Sequence, residues 1–245
     1  MKYLLLSLLL ISGSAHSVDH LVPEESIYSG GFYLEDYNKL VAYYLRDAYA
    51  QNVNLRVIVT PSFSPEYALG VKHSEGRHQI FYMAPEIHLW GYQMMPMMES
   101  GAVQTLSEDG EWTKNEDGLA ELRNLYPDDP DDIPRVYCEA DIPAQTASSL
   151  EQIWMTLLKG VKYPDSASQK RDGETYHFSM PVQGFTAMAG SAWSPKPEST
   201  LFGLVALTKD MRAYCLDSDN RKNKKALMSS IAQFSQTLET SKAKQ

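Results

Sequence analysis

The chain has 245 residues, 43% hydrophobic and 22% charged, with a formal net charge of −9. This is globular composition, and it excludes disordered, collagen-like and mucin-like chains. Residues 99–141 hold 13 acidic and 3 basic side chains, a net −10, and such a belt repels phosphate backbones, which argues against nucleic acid as a partner.

The N-terminus reads as a secretory signal peptide over residues 1–17. Met1-Lys2 is a short basic start, Tyr3 to Ile11 an apolar run, and Ser12 to Ser17 a small-residue stretch with cleavage expected after Ser17 or Ala15. The apolar run is about half the ~20 residues a membrane span needs. No Cys follows it to carry a lipid. The expectation is a periplasmic or secreted protein without membrane span or lipid anchor, residues 18–245 forming one domain.

The first helix shows in Leu34, Tyr37, Leu40, Val41, Tyr44, Leu45 and Ala48, which fall on one face at helical spacing. Period two then takes over: Leu55, Val57 and Val59 alternate with polar residues up to Pro61. Tyr67, Leu69 and Val71 form a second strand, and His78, Ile80 and Tyr82 a third running back from Glu75-Gly76. A two-residue turn there sets His73 opposite His78, with Cβ atoms about 5 Å apart. Prolines punctuate residues 84–134 and weaken every signal. They point to an acidic surface excursion over about 99–134, relieved by a short helix near Glu116–Leu125.

Arg135 to Asp141 reads as a strand carrying Cys138. Leu150, Ile153, Trp154, Leu157 and Leu158 then predict a helix, with Ser148-x-x-Glu151 as its capping box and Gly160 as its stop. Thr175 to Met180 and Phe185 to Trp193 form a strand pair. Pro195 and Pro197 open a helix with Leu201, Leu204, Val205, Thr208, Met211 and Cys215 on one face. A last helix turns Leu227, Ile231, Phe234 and Leu238 inward, its basic start Arg221, Lys222, Lys224 and Lys225 left in solvent. Together these elements predict an α+β fold: a largely antiparallel sheet of five to seven strands with helices packed on one face.

The chemistry-bearing residues are few. Cys138 and Cys215 are the only cysteines, and in an exported chain they pair as a disulfide. The sequence lacks a GxSxG elbow, an HExxH helix, a Walker loop, a GxGxxG turn and a CxxC pair, and no cofactor is called for. His177 is the best catalytic candidate, with Ser179 on the same strand face but about 7 Å away. Met94, Met95, Met97 and Met98 around Pro96 are soft potential metal ligands, as is the pair His73 and His78, although packing explains the methionines better. Asp128, Asp129, Asp131 and Asp132 lie in a segment suited to a basic partner.

Three segments carry a resemblance: Pro61-Ser62-Phe63-Ser64-Pro65-Glu66-Tyr67-Ala68-Leu69-Gly70-Val71, Asp172-Gly173-Glu174-Thr175-Tyr176-His177-Phe178-Ser179 and Ala189-Gly190-Ser191-Ala192-Trp193-Ser194-Pro195. They resemble exported proteobacterial proteins of unassigned activity, which implies a periplasmic location and transfers no catalytic residue. The leading expectation is a non-enzymatic periplasmic protein that binds another macromolecule, such as an inhibitor or immunity-type factor with a protein partner bearing a basic surface. The alternatives are an envelope-acting hydrolase using His177 and a Met/His metal carrier.

Overall fold

A computed structural model of the chain describes residues 20–24, 32–101, 104–164, 172–182 and 185–242; the expected signal peptide lies outside them. In chain order come α1 (Phe32–Tyr44), a one-turn 3-10 helix (Arg46–Tyr49), β1 (Val53–Pro61), β2 (Tyr67–Ser74), β3 (Arg77–Pro85) and α2 (Trp90–Glu99). The acidic segment carries β4 (Gln104–Leu106), β5 (Trp112–Lys114), α3 (Glu116–Leu125) and a 3-10 turn (Pro130–Asp132). Then follow β6 (Arg135–Ile142), α4 (Ala144–Lys159), β7 (Glu174–Val182), β8 (Phe185–Trp193), α5 (Thr200–Leu216) and α6 (Arg221–Lys242).

Among the described residues six strands form one antiparallel sheet in the order β6-β3-β2-β1-β7-β8, and β4 pairs only with β5. The pleat sends Leu55, Val57 and Val59, with Leu69, Ile80, Tyr82, Tyr176 and Phe178, to one face, where α4, α5 and α6 cover them. Trp154 of α4 is fully buried there, edge-on to Phe178 at 5.6 Å, and its indole N–H donates to the Arg56 carbonyl at 3.3 Å. The fold is therefore α+β with helices packed against an antiparallel sheet. The opposite face is also covered in part: Ile58, Ala68, Phe81 and Met83 meet Tyr37, Val41 and Tyr44 of α1.

The β2–β3 turn has the expected length. Glu75 and Gly76 both take positive φ, 53° and 76°, the conformation of a type I′ hairpin turn, and Ser74 faces Arg77. Cys138 of β6 and Cys215 of α5 form the disulfide, with Cα atoms 5.9 Å apart, so the bond ties the edge strand to the helix layer. Two local expectations are corrected. α4 starts at Ala144, so Ser148 lies inside the helix and its capping box does not form; Pro143 leads into the helix, where Thr146 and Ala147 are already buried. α5 begins at Thr200, beyond both prolines, with Ser199 accepting from the Phe202 N–H at 3.1 Å.

Gly70 in β2 is required by closeness. A Cβ there would stand 2.2 Å from the Leu55 carbonyl oxygen and 3.0 Å from the Arg56 Cα, both backbone atoms that cannot turn aside. Gly70→Ala is expected to destabilise the sheet by roughly 1–3 kcal/mol, visible as a lower midpoint in urea unfolding.

Candidate functional site

The sequence candidates divide into placed pairs and dispersed residues. His177 sits between an acid and a hydroxyl: its Nδ1 is 3.0 Å from Glu24 Oε1 and its Nε2 is 3.5 Å from Thr60 Oγ1. The hydroxyl it meets is Thr60's across the β1–β7 ladder, not that of Ser179, which is buried farther along β7. His73 and His78 face each other as the turn requires, with ring centroids 4.7 Å apart. His78 Nδ1 is buried without a hydrogen-bond partner. Among the described residues no group of three or more His, Cys, Asp or Glu side chains is arranged to hold a metal ion. Met94, Met95, Met97 and Met98 lie on α2, which packs against α1 and α3; Met98 is buried and the other three half-buried.

The aspartates are exposed but not idle. Asp129 accepts from the Asp131 N–H at 2.9 Å, and Asp131 accepts from the Tyr43 hydroxyl at 2.7 Å and lies 3.9 Å from Arg135. They hold the approach to β6 as well as contributing charge. The more freely presented part of the acidic segment is the β4–β5 hairpin. Every residue from 104 to 114 is exposed except half-buried Ser107. Leu106 and Trp112 are direct cross-strand partners and are 59% and 67% exposed. Ser107 stitches the tip, bonding the Glu111 carbonyl through both its N–H (2.9 Å) and its hydroxyl (2.7 Å). Lys114 anchors the base by donating to the Glu99 carbonyl at 3.0 Å.

A second site was not anticipated. Glu66, in the loop before β2, is fully buried, and three donors converge on it: the Tyr37 hydroxyl at 2.6 Å, the Leu89 N–H at 2.8 Å and His88 Nε2 at 3.1 Å. Burial, and then the neighbouring carboxylate, push the Tyr37 phenol well above its ordinary range, so it stays a neutral donor. Tyr126 fixes the segment from the other side by donating to the His88 carbonyl. Beside this cluster lies a cavity of about 340 Å³, walled by Tyr37, His88, Trp90 and Thr60. The sequence signal was present: Glu66 is the one charged residue between Arg56 and Lys72, immediately before a strand bound for the interior. His177 and this cavity share Thr60, whose hydroxyl meets His177 and which also lines the cavity.

No family model, no curated protein and no solved structure matches the chain.

Proposed function

We propose that the protein is exported and non-enzymatic, and that it binds a basic protein partner, as an inhibitor or immunity-type factor does, through the β4–β5 hairpin. The observation that carries this reading is the exposed Leu106–Trp112 pair on a stitched turn bearing Glu108, Asp109 and Glu111. A two-stranded hairpin left outside the main sheet is marginal by itself. An aromatic–aliphatic pair in water at its centre, ringed by carboxylates, has the make-up of an interface anchor with an electrostatic rim. The stitched tip lowers the ordering cost on binding. Export is supported by the signal-peptide pattern and the disulfide. No helix among the described residues is long and apolar enough to cross a membrane.

Pull-down from envelope extract, followed by binding kinetics, tests this reading. Trp112→Ala is expected to lose about 2 kcal/mol or more of affinity, mainly in dissociation rate. Glu108→Gln with Glu111→Gln is expected to slow association and flatten its salt dependence. Recovery of the same partner by all three proteins with equal rates would remove the hairpin from the mechanism. Asp131→Asn is a poor substitute, because Asp131 also holds Tyr43.

The Glu24–His177–Thr60 order favours a second reading, a hydrolase acting on envelope material with Thr60 as nucleophile and His177 as base. The 3.5 Å separation from Thr60 places it second. Thr60→Val and His177→Ala would each abolish such an activity.

A further inference from the structure

The cavity beside Glu66 has a construction that docking at the hairpin leaves unused. Its carboxylate is internally satisfied: Glu66 accepts from Tyr37, Leu89 and His88, and does not present its charge to the cavity. Ser62 at the rim is likewise committed. Its hydroxyl donates to the Gly173 carbonyl and accepts from the Gly173 N–H, both at 2.9 Å. Other polar side chains along the wall are Thr60, whose hydroxyl also meets His177 Nε2 at 3.5 Å, His88 and Asp172. Glu66 engages Nε2 of His88, which leaves Nδ1 outside that bond.

The remaining wall is aromatic. Tyr37 and Trp90 meet edge-on with centroids 5.0 Å apart. Phe63 stands at the lip and is 80% exposed, although the loop that carries it is pinned by the Ser62–Gly173 bonds. An aromatic ring held in water at the mouth of a polar cavity is a platform awaiting an apolar surface.

We infer that this cavity binds a neutral, polyhydroxylated ligand, one saccharide unit in size, either free or at the end of a glycan. A sugar presents a C–H face that lies on an aromatic ring and a rim of hydroxyls that both donate and accept. The wall supplies that combination: Phe63 and Trp90 for the face, Asp172 as acceptor, and Thr60 and His88 for mixed partners. The volume is at the small end of the range for ligand pockets, roughly 300–1,000 Å³. A quaternary ammonium is the competing occupant of an aromatic site with one carboxylate. It has no use for the hydroxyl and the imidazole.

The test is titration of the full chain, followed by NMR shift perturbation, with glucose, N-acetylglucosamine, cellobiose and chitobiose, and in parallel with tetramethylammonium. Saturable binding of at least one saccharide is expected. Phe63→Ala, an exposed substitution that leaves the fold alone, should weaken it about tenfold, the scale of one lost aromatic contact. Asp172→Asn should weaken it by a similar factor, and Trp112→Ala should leave it unchanged. That last result separates this site from the hairpin, so failure of either leaves the other standing. Saturation by tetramethylammonium alone, no saturable saccharide, or equal binding by Phe63→Ala would each overturn the inference.

Discussion

Glu66→Ala is expected to be among the most damaging single substitutions in the chain, lowering the free energy of unfolding by roughly 3 kcal/mol or more. The reason is the convergence on one fully buried carboxylate. Its loss leaves a buried phenol and backbone N–H, and a half-buried imidazole, without their acceptor. Tyr37→Phe removes one donor and leaves the acceptor with two others, so a loss of only about 1 kcal/mol is expected. Urea unfolding with an unchanged slope would measure both. Equal losses would show that Glu66 is one contact among several and not the hub.

The second large effect concerns the disulfide. Cys138→Ser with Cys215→Ser opens a bond whose ends are 77 residues apart in sequence. The chain-entropy model assigns such a loop roughly 4 kcal/mol. For a chain of this size that is a fall of roughly 8–16 °C in Tm. Thermal unfolding with and without reductant measures it, and a mass gain of two hydrogens on reduction confirms the bond. Two thiols that alkylate freely in the native, unreduced protein would contradict it.

The fold was legible wherever periodicity was clean. The stripe from Leu150 to Leu158 marked α4, alternation around Leu55 to Val59 marked β1, and Glu75-Gly76 set the register that puts His73 opposite His78. Failures occurred where local signals competed. Pro96 argues against a helix, yet α2 continues through it, with Met98 buried on the helix. Ser148 and Glu151 have capping-box spacing, but the helix already begins at Ala144, and its Thr146 and Ala147 are buried before Ser148 is reached. The β4–β5 hairpin is too short for alternation to register. The Glu66 site was missed because Glu66 lies in the loop before β2 while its partners come from α1 and from the residues just before α2. Spacing along a chain does not report such meetings. Glu66 itself was the trace, the lone charge between Arg56 and Lys72.

The sheet order has a consequence for the timing of synthesis. β1 lies between β2 and β7, and β7 begins only at Glu174. A chain emerging N-terminus first can close the β1–β2–β3 meander early, but one side of β1 stays bare until the second half has been made. The earliest described segment waits longer still: Val22 exchanges backbone bonds of 2.9 and 2.8 Å with Ser191, on the strand that ends the sheet. Until β7 arrives, β1 offers an unpaired strand edge to any neighbouring copy. Nascent chains released before Glu174 should therefore associate through that edge, whereas chains extended past Trp193 should not.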